Sequence, residues 1–329
     1  MRRSAFPLAL TLALLIGAVA IADDGPPLAG VRRVVFLGDS ITYSGRYIED
    51  VEAYLRLKAP ALRCEFLGLG LPSETVSGLS EPGHAGGSFP RPELRERLDR
   101  VLARVKPDLV VACYGMNDGI YYPFDEGRFR KFQDGLRDLR DRSAAVGARM
   151  LHLTPPPFDV EPIRAKALPA GLDEYPRPFE GYDEILGRYS EWLLARKADG
   201  WDVVDIHGPI KRHLAHARER DPNFRLAGDG VHLNAEGHRI IARAILDHWG
   251  YPVPGGGEAE GEAAIFAGFP QGPRVLKLVH RRQSLLKDAW LSATGHKRPG
   301  MTPGLPLDEA EKEAAEIDVE IRKQVATTP

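Results

Sequence analysis
A serine, an amide and an Asp/His pair stand in three short blocks of this chain, and together they are the parts that acyl transfer needs. The first block, Gly38-Asp39-Ser40, ends an apolar run that starts at Val34. The second, Gly115-Met116-Asn117-Asp118, follows the apolar run Leu109–Cys113. The third, Asp229-Gly230-Val231-His232, comes just before a helical pattern. A serine hydroxyl is weakly nucleophilic and needs a neighbouring base. A histidine takes that proton and returns it to the leaving group, and a carboxylate fixes the imidazole tautomer. The Asn117 amide can donate to an oxyanion as negative charge develops on it. On this reading Ser40 is the nucleophile, His232 the base and Asp229 the acid that orients it.

The elements around these blocks bring them to one place. Val34–Leu37, Cys64–Leu67, Leu109–Cys113, Met150–Leu153 and Val203–Ile206 read as strands. Pro92–Lys106, Glu126–Val146, Tyr182–Ala198 and Asn234–Trp249 read as helices. The first of these has Leu94, Leu98, Val101, Leu102 and Val105 on one face, and Asn234 suits the N-cap of the last. Strand–helix alternation predicts a parallel sheet covered on both faces. The expected fold is therefore α/β, a three-layer αβα sandwich with a flavodoxin-like parallel five-stranded sheet. The carboxyl ends of such strands share one edge, where open sheets bind ligands. Ser40 and Asn117 follow strand ends, and Asp229 and His232 follow the helix after the fifth strand. Ser40 is expected in a tight strand-to-loop turn.

In these blocks the chain resembles the SGNH hydrolase family, also called GDSL esterases and lipases. The residues that carry the resemblance are Gly38-Asp39-Ser40, Gly115-x-Asn117-Asp118 and Asp229-x-x-His232, and it covers about Val31 to Gly250. It implies the strand order 2-1-3-4-5 and a triad of Ser40, His232 and Asp229. It also implies an oxyanion hole made by the Ser40 N–H, a backbone N–H in a second family block and the Asn117 side chain. No metal or organic cofactor is implied. In that second block the family has a glycine just before an x-Thr or x-Ser pair. Here the stretch is Leu67-Gly68-Leu69-Gly70-Leu71-Pro72-Ser73-Glu74-Thr75, and alignment on Thr75 puts Ser73 at the glycine position. Ser73 can supply the N–H if its backbone fits without a positive φ. Gly70 is the alternative if the loop slips in register.

The chain has 329 residues, 43% of them apolar, and a net charge of −2, so it has the composition of a globular protein and no basic footprint for nucleic acid. Leu8–Ala22 is its one long apolar stretch; Arg2 and Arg3 precede it and Ala20-Ile21-Ala22 ends it. That reads as an export signal over 1–22, and the competing reading is an uncleaved anchor. The stretch is too short to span a bilayer comfortably, so no stable membrane span is expected after cleavage and the location is secreted or periplasmic. Residues 23–250 then form the hydrolase domain. Residues 251–329 form a linker, marked by Gly255-Gly256-Gly257, and a helical extension over Val275–Ala293 and Asp308–Val325. The extension either packs back on the core or forms a partner surface. Cys64 and Cys113 fall at opposite ends of their strands, which favours two buried thiols over a disulfide.

Other features have plainer readings. Thr154–Arg177 is rich in proline and follows the fourth strand; it either shapes substrate binding or is an ordered surface loop. Ser80–Pro90 reads as a flexible loop at the same edge, where His84 either touches substrate or, the favoured reading, is solvent-exposed. Asp39 and Asp118 read as bonding loop backbone, Trp192 and Trp249 as core, and His296 as part of a basic surface turn rather than a site for an anionic group. Asp229, His232 and His238 have no fourth ligand at metal spacing. Ser40 is not in a Gly-x-Ser-x-Gly elbow, and Asp and His share one loop, which argues against the α/β-hydrolase fold. The expected function is a serine esterase acting through an acyl-enzyme on a small-molecule or saccharide ester, with short (acetyl) esters of carbohydrate favoured. The alternatives are a lipase or acylhydrolase on lipid or thioesters, and a non-catalytic carbohydrate-binding protein of the same fold.

Overall fold
The computed structural model describes residues 27–254 and 265–326. The strands β1 (Arg33–Gly38), β2 (Glu65–Gly68), β3 (Leu109–Cys113), β4 (Arg149–Leu153) and β5 (Val203–Val204) form one sheet in the order β2-β1-β3-β4-β5. Every pairing is parallel. This is the α/β architecture expected and the strand order that the resemblance implied. β1 and β3 pair in register from Val34↔Leu109 to Gly38↔Cys113 at the centre of the sheet. Burial on both faces explains why both read as unbroken apolar runs.

Nine helices follow among the described residues: α1 (Ser40–Ser44), α2 (Arg46–Lys58), α3 (Leu98–Val105), α4 (Glu126–Ala145), α5 (Tyr182–Ala195), α6 (His207–Arg220), α7 (Ala235–His248), α8 (Gly272–Thr294) and α9 (Leu307–Ala326). The chain steps one way from β1 to β2 and the other way from β2 onward. Right-handed crossovers therefore put α2 on one face and α3, α4 and α5 on the other. α2 packs on α7 and α8, and α3 packs on α4. Phe132 of α4 stacks on Tyr189 of α5 at 4.3 Å between ring centroids.

Several boundaries differ from the sequence reading. α3 starts at Leu98 rather than Pro92, after a short 3-10 turn over Leu94–Glu96. The break falls at Arg97, whose guanidinium is buried against Glu74. α5 ends at Ala195 and tightens into a 3-10 turn to Asp199, and β5 is only two residues long. α2 carries no clean apolar stripe because Glu49, Asp50 and Glu52 are buried in it among Tyr47, Ile48, Val51 and Tyr54. Trp249 is core as expected, whereas Trp192 is half-buried under the guanidinium groups of Arg137 and Arg196. Cys64 and Cys113 are free and buried.

Of the two readings of the C-terminal segment, packing back on the core is what the structure has. α8 lies along α2 and the edge strand β2, and α9 lies on α8. Gln283 of α8 donates to the Phe66 carbonyl at 2.7 Å and to Glu52 at 2.5 Å. An edge strand left with unpaired groups invites pairing with other chains, and α8 covers this one. The 1–22 segment and Gly255–Gly257 lie outside the described residues. Among the described residues no helix is long and apolar enough to cross a membrane.

Candidate active site
Ser40 opens a helix and does not sit in a loop. Asp39 caps α1, its carboxylate accepting the Ile41 N–H at 2.9 Å. The first N–H groups of a helix have no partner within it, so the Ser40 N–H is available to a ligand. His232 Nε2 lies 2.8 Å from Ser40 Oγ, and His232 Nδ1 lies 2.6 Å from Asp229 Oδ2. A carboxylate only accepts, which places the imidazole proton on Nδ1 and leaves Nε2 to take the Ser40 proton. Asp229 Oδ1 also accepts the N–H groups of Val231 (3.0 Å) and His232 (2.8 Å). Partial burial pushes the Asp229 carboxyl up, but these hydrogen bonds outweigh it and hold the group below its usual range. The side chains of His232 and Asp229 are 53% and 56% exposed, so the site is open to solvent.

The Asp/His loop is braced from below. Asp159 donates its N–H to the Gly230 carbonyl at 2.9 Å, and a Cβ on Gly230 would stand 2.5 Å from the Asp159 carbonyl oxygen. Arg218 of α6 holds the Asp159 carboxylate at 2.7 Å. One end of the proline-rich segment therefore supports the loop that carries His232.

Asn117 is buried, and its orientation is settled by its partners. Its Oδ1 accepts from Arg91 Nη1 at 2.9 Å and from the Tyr121 hydroxyl at 3.2 Å. A guanidinium only donates, so the oxygen must face Arg91. Nδ2 then donates one hydrogen to the Glu74 carbonyl at 3.2 Å and leaves the other available to a ligand. Burial pushes the Tyr121 phenol up, which keeps it a donor. Glu74 is itself fixed by buried contacts from Arg97 (2.7 and 2.8 Å) and the Tyr114 hydroxyl (2.7 Å). Ile120 and Tyr121 have φ of 50° and 61°. Left-handed backbone at a β-branched residue is strained, and here the strain falls beside Asn117.

Ser73 corrects an expectation: its φ is +68°, so the condition of an ordinary φ is not met and its N–H is presented from left-handed backbone. The Glu74 N–H bonds the Leu71 carbonyl at 3.1 Å, so Leu71-Pro72-Ser73-Glu74 is a β-turn. Proline in its second position and positive φ in its third are the marks of type II. A serine there costs about 1–2 kcal/mol that a glycine would not. Gly70, the alternative donor, has a different task. A Cβ on it would lie 2.3 Å from Tyr43 N and 2.6 Å from the Thr42 carbonyl carbon. It lets the end of β2 approach the backbone of α1.

Beside Asn117 lies a cleft of about 640 Å³. Arg91 and Tyr121, which hold Asn117, are part of its wall, with Tyr122, Tyr175, Glu174 and Arg177. The far end of the proline-rich segment thus lines this cleft, as do Glu81, Pro82 and Gly83. His84 does not line it and is not solvent-exposed: its ring packs on Phe89 at 5.3 Å, beside Glu81. His296 is half-buried rather than part of an exposed turn. Sequence reasoning missed Arg91 and Tyr121. The only local signal for them is an arginine between two prolines and a tyrosine pair shortly after the Asn117 block.

The remaining candidates have structural roles. His238 is buried, 3.1 Å from Ser44 Oγ and stacked on Tyr47, and burial pushes it down to about 3. Asp118 accepts the Val76 and Ser77 N–H groups at 2.9 and 2.8 Å, as its sequence context suggested. Burial pushes Asp39 up to about 7 against the pull of the Ile41 N–H. Between the unfolded value of about 4 and that folded value, the native chain keeps a proton that the unfolded chain has lost. Stability therefore falls as pH rises through this window. Asp39→Asn keeps the helix cap and is expected to remove a fall on the order of a few kcal/mol. Urea unfolding at about pH 4 and about pH 8 measures it, and an unchanged pH slope would count against a protonated Asp39.

A serine, an imidazole and a carboxylate stand in one hydrogen-bonded line at the carboxyl edge of a parallel sheet, and the family match makes the chain a hydrolase of ester bonds. The chain belongs to the GDSL-like lipase/acylhydrolase family, whose model matches residues 36–240. No curated protein matches the chain. Solved structures with a similar fold include a variant of Axe2, an acetyl xylan esterase from Geobacillus stearothermophilus. It is 20% identical with a TM-score of 0.50, over 68% of this chain and 96% of that one. LAE5, an alpha/beta hydrolase enzyme from the metagenome of Lake Arreo, Spain, is 24% identical with a TM-score of 0.48, over 67% and 95%. BT4096, a gut microbial diltiazem-metabolizing enzyme, is 21% identical with a TM-score of 0.48; the match spans 67% of this chain and 47% of that one.

Proposed function
We propose that this protein is a serine esterase that removes short acyl groups, acetyl above all, from carbohydrate. Ser40 Oγ attacks the ester carbonyl while His232 Nε2 takes its proton. The oxyanion accepts from the Ser40 N–H, the Ser73 N–H and Asn117 Nδ2. Collapse expels the sugar alcohol, which receives the proton from His232, and water then releases the acid from Ser40 by the same steps. The observation that carries this reading is the Ser40–His232–Asp229 line at 2.8 and 2.6 Å, with an oriented amide at Asn117.

The cleft supports a saccharide leaving group. Tyr121, Tyr122 and Tyr175 contribute aromatic wall, although Tyr182 and Arg91 already pack on the Tyr121 ring, while the exposed Glu174 and Arg177 offer hydrogen-bonding groups. A sugar ring presents both kinds of surface, and pockets of this kind bind by apolar walls with a few placed polar groups. Hydrolysis of a para-nitrophenyl ester series tests this, beside acetate release from an acetylated oligosaccharide. The acetyl ester is expected to exceed the octanoyl ester by about tenfold or more in kcat/KM. Faster turnover as the chain lengthens would move the assignment to lipid esters, and saccharide binding without any hydrolysis would move it to a binding protein.

A further inference from the structure
α8 and α9 lie outside the residues that match the family, yet this extension grips both backbone segments that carry the proposed oxyanion donors. Lys287 of α8 donates to the Tyr43 carbonyl of α1 at 3.2 Å and sits 3.9 Å from the Tyr43 ring centroid. Between α8 and α9, Arg298 donates from Nε to the Pro72 carbonyl at 2.9 Å. Its guanidinium lies over the Phe89 ring at 5.5 Å and bonds the Pro299 carbonyl at 3.0 Å. The start of this connection is tied to α3. Arg100 donates to the carbonyls of Thr294 (2.8 Å) and Gly295 (3.2 Å), and Arg104 donates to that of Ala293.

The Pro72 carbonyl and the Ser73 N–H belong to one peptide group. In a trans peptide they point in opposite directions, so whatever holds the oxygen also aims the N–H. Types I and II of a β-turn differ mainly by a half-rotation of this central peptide. With serine rather than glycine in the third position, the local preference is for type I, which would turn the N–H away. We propose that Arg298 is a positioning residue. By holding the Pro72 carbonyl it keeps the Leu71–Glu74 turn in the type II form, with the Ser73 N–H aimed at the oxyanion of Ser40, so that the C-terminal extension completes the catalytic site. The charged donor also polarises the peptide and strengthens its N–H. This rests on the serine-esterase reading and on Ser73 as the second donor.

The test measures kcat and KM on para-nitrophenyl acetate for the whole protein and for Arg298→Met, Arg298→Lys, Ser73→Gly and the Ser73→Gly/Arg298→Met double variant. Thermal midpoints and the nitrogen-15 resonance of the Ser73 amide are recorded for each. Losing one oxyanion donor costs about 10²–10³ in kcat, so a misaimed one in Arg298→Met is expected to cost about tenfold or more. KM should change little and the Ser73 resonance should move. Lysine should restore part of kcat. Glycine at 73 should restore much of it in the double variant, because glycine takes positive φ without strain. A lower midpoint with wild-type kcat and an unmoved resonance would make Arg298 merely structural. A moved resonance with unchanged kcat would remove Ser73 from the oxyanion hole and the proposal with it. If Arg298→Met does not fold, the same comparison is made with Arg298→Lys, alone and with Ser73→Gly. Ser40→Ala separates the two readings: if it is inactive while Arg298→Met is wild-type, only the positioning role falls, and if it is fully active both fall.

Discussion

Ser40→Ala is expected to lower kcat by roughly 10⁵-fold or more, leaving only the residual activity of the other site groups. The geometry explains the size of the loss. His232 Nε2 has Ser40 Oγ at 2.8 Å as the hydroxyl it can deprotonate, and in the proposed mechanism the Asn117 amide receives the oxyanion. Without the hydroxyl there is no acyl-enzyme, and water must attack the ester carbonyl from a position the site does not prepare. Ser40 is half-buried on a short helix held by the Asp39 cap, so stability should change by about 0.5 kcal/mol or less. Steady-state hydrolysis of para-nitrophenyl acetate gives the rate, and mass spectrometry after an organophosphate reagent shows whether Ser40 is the group that is modified. A variant within tenfold of wild type would show that another nucleophile does the work.

Asp229→Asn is expected to cost roughly 10³–10⁴-fold in kcat, although it changes only one atom. Asp229 Oδ1 accepts two backbone N–H groups, from Val231 and His232. An asparagine is held by the same two donors and must keep its oxygen there, which turns its NH₂ toward His232 Nδ1. Nδ1 then has to accept, the imidazole proton moves to Nε2, and the ring can no longer take the Ser40 proton. The half-exposed setting of this pair lets water compete for Nδ1 and places the loss below that of Ser40→Ala. The rate on the same ester measures the effect. A loss of less than tenfold would mean that the tautomer is set by something other than Asp229.

These two residues, with His232 and Asn117, were legible in the sequence because their chemistry restricts residue type. Their neighbourhoods also carry strong local signals. An apolar run broken at Gly38 marks a strand end, and Asn234, which caps α7 through the Glu236 and Gly237 N–H groups, marks where the Asp/His loop must stop. Short unbroken apolar runs placed the sheet, and a period of 3.6 residues placed most helices. They failed for α2 because its stripe contains Glu52, which is stable in the core only with Arg56 at 2.9 Å and Arg282 and Gln283 from α8. Arg56 is a local (i,i+4) partner, but no local pattern can show that Arg282 and Gln283 arrive from another part of the chain.

The same limit divides the rest of the site. By itself the sequence determined the alternating fold and picked out the candidates for nucleophile, base, orienting acid and one oxyanion donor that the fold brings together, because each rests on residue type or on short-range pattern. Only the tertiary structure decided how those groups are aimed. Arg91 reaches Asn117 across 26 residues, and Arg298 reaches the Pro72 carbonyl across 226. The positive φ of Ser73 likewise goes against what serine prefers alone. Such aiming depends on a few hydrogen bonds between distant segments, whose directions exist only once the layers have packed.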